Sequence, residues 1–107
     1  MFDPFSIMAV LISVAVGAAV VVALLTWDMV RNDLLEQKRT AAAKIGEALK
    51  RGVHKGVVAK EGNKVYTGIF DSRDSDVLTA KEWDAEQIGA DIDMKMQNKD
   101  VAIIENL

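Results

Sequence analysis

Three aspartates, Asp71, Asp74 and Asp76, are the side chains of this sequence whose type and spacing come nearest to a cation site. A calcium loop of the EF-hand kind needs oxygen ligands at alternate positions, a central glycine for its sharp turn and a distal bidentate glutamate. "DSRDSD" has no glycine and the wrong spacing, so it reads as a solvated turn. His54 is the sole histidine and there is no cysteine, so a zinc site would have to be shared between chains. Nucleophilic catalysis needs a serine or threonine beside a positioned base, and His54 is the only imidazole available for that role. No glycine-rich phosphate loop and no Gly-x-Ser-x-Gly elbow is present. The expectation is a non-enzyme with no catalytic residues, no metal and no cofactor.

The elements that would carry these residues fall into three blocks. Residues 6–27, "SIMAVLISVAVGAAVVVALLTW", contain no charge. An apolar run of 18 or more residues reads as a transmembrane helix, because ~20 residues rising ~1.5 Å each cross a ~30 Å hydrocarbon layer. After a short tail at 1–4, a span over 5–27 is therefore predicted, with Asp3 as N-cap and Pro4 in the first turn. Phe2, Phe5 and Trp27 stand where aromatic side chains anchor at membrane interfaces. A cleaved signal fits poorly, since the first residues hold no Lys or Arg and the apolar stretch is too long. Two rows of small residues, Ala9/Ser13/Gly17 and Ala15/Ala19/Ala23, recur every four positions and suit close helix–helix packing.

Residues 28–52 are predicted to continue as a juxtamembrane helix. Val30, Leu34, Ala41, Ile45, Ala48 and Leu49 follow one stripe, Lys38 falls on it too, and Gly52 suits a C-terminus. From Lys38 to Lys55 six bases (Lys38, Arg39, Lys44, Lys50, Arg51, Lys55) face one acid, Glu47. Such a basic neck suits a solvated face, anionic headgroups or an acidic partner. It has no aromatic interleaving, which argues against nucleic acid. Lys and Arg lie only downstream of the run, so the N-terminus is expected outside and the rest in the cytoplasm, or on the inner side of a virion membrane.

Residues 53–107 are acidic, and from Gly56 onward eleven acids oppose six bases. "KGVVAKEGNKVYTGIF" reads as two strands joined at Glu61-Gly62-Asn63. Thr79 to Glu82 matches a capping box, predicting a short helix to Gln87. Ile88, Ala90, Ile92, Met94 and Met96 alternate with polar neighbours as in a strand, and "VAIIEN" follows a turn as the last strand. Met96 would then face Val101 and Met94 face Ile103, with Phe70 and Trp83 as core or docking anchors.

The expected architecture is thus a single-pass transmembrane helix running into an amphipathic basic helix, then a small α+β lobe of about four strands and one helix. The function this implies is an anchor or structural subunit of a larger membrane-associated complex, for instance in a lipid-containing virion, with the bilayer, other subunits or itself as partners. Two other readings fit the same elements: a holin-like protein whose spans self-associate, and a tether for nucleic acid or anionic lipid through the neck.

Overall fold

A β-hairpin at Glu61-Gly62-Asn63 forms the centre of the fold. In the computed structural model, which describes residues 4–15 and 19–105, the chain runs α1 (Pro4–Ala15), β1 (Ala19–Leu25), α2 (Trp27–Ile45), β2 (His54–Glu61), β3 (Lys64–Asp71), β4 (Val77–Ile88), α3 (Ala90–Lys95) and β5 (Val101–Ile104). The five strands make one mixed sheet in the order β1-β4-β3-β2-β5. Only β1 and β4 run parallel, with Val20 beside Trp83 and Val22 beside Ala85. β2 pairs antiparallel with β3 and β5, and β3 antiparallel with β4.

Helices cover both faces of the sheet. The central strands are therefore apolar on successive residues rather than on alternate ones. Val57, Ala59, Tyr66 and Phe70 pack under Ile7, Leu11 and Ala15 of α1. Val58, Val65, Ile69, Trp83 and Ala85 pack on the other face, under Val30, Leu34 and Ala41 of α2 and Ile92 and Met96 of α3. Gly68 lets α1 seat this low: a Cβ there would lie 2.5 Å from Leu11 Cδ1 and 2.6 Å from the Thr79 carbonyl oxygen.

Four expectations are corrected. No described helix is long and apolar enough to cross a membrane. That overturns the single-pass span over 5–27, its outside-to-inside orientation and the membrane localisation drawn from it. The uncharged run is instead divided. α1 has 12 residues and reaches only ~18 Å at ~1.5 Å each. "AVVVALL" forms β1, as its β-branched residues favour. Thr26 then caps α2, its hydroxyl accepting from the Met29 amide at 3.4 Å. Ile7, Leu11, Ala15 and Leu25 of the run are buried in the protein core, whereas Val10, Val14, Val21 and Leu24 are exposed. Of the residues assigned to the span, Ala15 is buried, while Ala9, Ser13, Ala19 and Ala23 are exposed. Phe5 lies in the first turn of α1, and Phe2, Asp3 and Gly17 fall outside the described residues.

The neck helix is shorter than 28–52. It ends at Gly46, in the left-handed region at φ 74°, whose amide donates to the Ala42 carbonyl. The capping-box match at Thr79–Glu82 is not a helix but part of β4, because antiparallel pairing with β3 along its whole length, joined by β1 at Glu82, claims its backbone. Conversely, Ala90–Lys95 is α3 and not a strand. Ile92 and Met96 stand four apart and both are buried, whereas Met94 is 78% exposed. Met96 and Val101 consequently serve opposite cores, and β5 pairs with β2. The α+β architecture takes in the described chain from α1 to β5, not only residues 53–107.

Candidate functional site

α2 is where most of the polar chemistry collects. Its inner stripe carries Asp33 and Gln37 among Val30, Leu34 and Ala41, and all five are buried. Asp33 and Gln37 are one turn apart, so both reach β3 and β4 beneath. The Thr67 hydroxyl donates to Asp33 Oδ2 at 2.7 Å and accepts from Gln37 Nε2 at 3.0 Å and from the Trp83 indole at 3.2 Å. Gln37 Nε2 also donates to Asp33 Oδ2 at 2.7 Å. Lys81 closes the cluster, with Nζ 2.5 Å from Asp33 Oδ1 and 5.3 Å from the Trp83 ring centre. The hydroxyl thus uses one donor and two acceptor sites, its full capacity. Asp33 Oδ2 holds two bonds and Oδ1 the Lys81 ammonium, while Gln37 Oε1 is buried without a hydrogen-bond partner. The arrangement is a clamp between helix and sheet.

A second cluster lies at the far end of the hairpin. Asp71 accepts from Arg73 at its backbone amide (2.9 Å), Nε (3.0 Å) and Nη2 (2.6 Å). These bonds hold the Asp71 carboxyl down at about 2, against an ordinary 3.8. His54 Nδ1 accepts from the Lys50 amide at 2.8 Å, so the ring proton sits on Nε2, which lies 3.8 Å from Asp71 Oδ2. In a Ser-His-Asp triad the imidazole keeps a nitrogen for the nucleophile. Here Nδ1 is taken by the Lys50 amide and Nε2 faces the Asp71 carboxylate beyond hydrogen-bond distance, and Ser72 Oγ donates to the Gly52 carbonyl at 3.4 Å instead. Asp74 accepts from the Asp76 amide at 3.0 Å, which makes this stretch the turn its composition suggests. Among the described residues no group of three His, Cys, Asp or Glu is placed to hold a metal.

The outer side of α2 is different. Two shallow cavities meet at Leu35, which is 40% exposed. One, of about 460 Å³, is lined by Trp27, Asp28, Arg31 and Leu34 of α2 with Lys95 of α3 and Ile104 of β5. The other, of about 500 Å³, continues along Lys38, Arg39 and Ala42 to Ala48 and Leu49. Local sequence sets both walls. Gly46 reverses the chain, so Ala48 and Leu49 return beside α2. At the other end Asp91 Oδ2 accepts the Trp27 amide at 3.1 Å, tying α3 to the start of α2. Gly89 allows that approach, because a Cβ there would meet Asp91 Oδ1 at 2.5 Å and the Leu25 carbonyl oxygen at 2.9 Å. Four cations (Arg31, Lys38, Arg39, Lys95) and one acid (Asp28) edge an apolar floor.

The predicted site residues are therefore dispersed. Of the neck, Lys38 and Arg39 edge the groove, while Lys44 Nζ donates to the Leu78 carbonyl at 3.0 Å. Lys50 and Arg51 precede β2, and Lys55 pairs with Glu105 at 3.0 Å. Phe70, Trp83 and Met96 are buried, Val101 and Ile103 half-buried and Met94 exposed. Trp27 opens α2 and lines the groove. Sequence reasoning missed Asp33, Gln37, Thr67 and Lys81 as a unit. Its one local signal was two polar residues four apart on an otherwise apolar helix stripe. No known protein family, curated protein or solved structure matches the chain.

Proposed function

We propose that this chain is a non-enzymatic assembly subunit that docks an acidic, apolar-bearing segment of a partner protein along α2. The groove carries this reading: Trp27, Leu35 and Leu49 supply an apolar floor, and Arg31, Lys38, Arg39 and Lys95 supply a cationic rim. A helix presenting apolar residues at three- and four-residue steps with acids beside them satisfies both features, as in helix-in-groove recognition. The polar clusters support a role without chemistry, since Asp33 and Asp71 are each committed to bonds within the fold. Nucleic acid fits less well, because the basic neck is spread over α2, a turn and β2 and forms no continuous strip.

Calorimetric titration with a designed acidic helical peptide bearing leucines at helical spacing tests the proposal, with a lysine-for-glutamate counterpart as control. The acidic peptide is expected to bind, more weakly as salt rises, and to lose binding on Leu35→Glu. Equal binding of both peptides, or binding indifferent to Leu35→Glu, would refute it.

A further inference from the structure

The two edges of the sheet are built differently. β5 is short, four residues, and it is followed at once by Glu105, which is held by Lys55. Natural sheets protect their edges in this way, with brief strands and charges, because an open edge is a template for another strand. β1 has no such protection. It is seven residues long, "AVVVALL", without a charge, a proline or a glycine, and it pairs on one side only, with β4. Its other side presents backbone N–H and C=O groups with no strand partner among the described residues. Val21 is 76% and Leu24 46% exposed, the former the second most exposed large apolar residue described.

We propose that β1 pairs antiparallel with β1 of a second copy, across a two-fold axis through Val22, joining two five-stranded sheets into one of ten. The open ladder demands a strand, and the composition of β1 selects its own copy. In this register Val22 faces itself, Val21 faces Ala23 of the second copy and Val20 faces Leu24 of the second copy, so no like charges oppose and apolar side chains meet. Such a two-fold contact is self-complementary and closes on itself.

The nearest charges do not resist the pairing. Asp84 and Glu86 are exposed on β4, one strand inside the edge. Across the seam the two β4 strands stand three spacings of ~4.8 Å apart, about 14 Å, beyond the ~8 Å screening length of physiological salt. A two-fold axis normal to the sheet also keeps both copies of α1 on one face. Val20 and Val22 pack against the core under α2, so Val21 points to the α1 face. On that face α1 also exposes Val10 and Val14, at 42% and 46%. A seven-residue edge is a small interface, so the expected dissociation constant is on the order of micromolar.

Sedimentation equilibrium of the whole chain from about 1 to 300 μM, with hydrogen exchange at both ends of that range, tests the proposal. The wild type is expected to dimerise, with amides of residues 19–25 slowing as concentration rises. Val21→Lys should weaken dimerisation at least about tenfold, because lysine on an edge strand blocks pairing. Val21→Thr, which keeps the β-branch, should retain it, and so should Leu35→Glu in the separate α2 groove. A wild type monomeric throughout, a Val21→Lys dimer of wild-type strength, or a dimer whose 19–25 amides stay unprotected would each overturn it. Should Val21→Lys lose its fold by circular dichroism, the wild-type exchange pattern decides alone.

Discussion

Replacing Thr67 by valine should destabilise the protein by about 3 kcal/mol, almost entirely through polar bonds. The two side chains have nearly the same shape, and Thr67 is fully buried, so no cavity opens and no surface changes. Three bonds are lost: one donated to Asp33 at 2.7 Å, one accepted from Gln37 at 3.0 Å and one accepted from Trp83 at 3.2 Å. They are not equal. Gln37 Nε2 keeps its bond to Asp33, and Asp33 keeps Gln37 and Lys81, so their losses are partly made up. The bond to the carboxylate counts for roughly 1.5–3 kcal/mol, and a stranded buried indole N–H adds about 1–2 kcal/mol. Urea unfolding followed by far-ultraviolet circular dichroism reads the sum. With a slope near ~1.5 kcal/mol per molar, the midpoint should fall by about 2 M. In a Trp83→Phe background the same substitution should cost about 1–2 kcal/mol less, because no indole donor remains to be stranded. A Thr67→Val loss below ~0.5 kcal/mol, or equal losses in both backgrounds, would show that water reaches this cluster and that the clamp argument fails.

Three more perturbations test the remaining links. Leu11→Ala, at a fully buried position on the sheet-facing side of α1, should cost about 3 kcal/mol and lower the melting temperature by many degrees; a loss under ~1 kcal/mol would mean α1 does not belong to the core. Gly68→Ala should cost ~2 kcal/mol or more, and combining it with Leu11→Ala should relieve only part of that, because the Thr79 carbonyl oxygen at 2.6 Å is backbone and cannot withdraw. Asp71 is held at about 2 when folded and titrates near 3.8 otherwise, so its contribution is complete above 3.8 and fades as pH falls toward 2. Arg73→Gln should therefore lower stability above pH 4 and flatten its decline between about pH 4 and 2. Denaturant unfolding across that range checks it, and parallel wild-type and variant profiles would contradict it. The effect should be modest, because the Arg73 side chain is 61% exposed.

Local chemistry alone determined several features of this protein. Glu61-Gly62-Asn63 turns a hairpin because Gly62 takes φ 60° between two β-rich runs. The aspartates at 71, 74 and 76 make a turn because short carboxylates bond nearby amides. The inner stripe of α2 follows from apolar residues at helical steps. Each is settled within a few residues of itself.

Only the tertiary structure decided the rest. An uncharged run of this length satisfies a bilayer or a core covered on both sides equally well. What chose between them was distant: the notch at Gly68 that admits Leu11, and the edge of β4 that pairs with β1. Ile92 and Met96 fit a strand and a helix alike, since a separation of four suits both periods. Thr79–Glu82 carries a helix signal that pairing with β3 overrides. The α2 groove and the Asp33–Thr67–Lys81 clamp join residues from separate elements, 34 positions apart between Asp33 and Thr67. Periodicity states which residues must leave water; only long-range packing states what they meet.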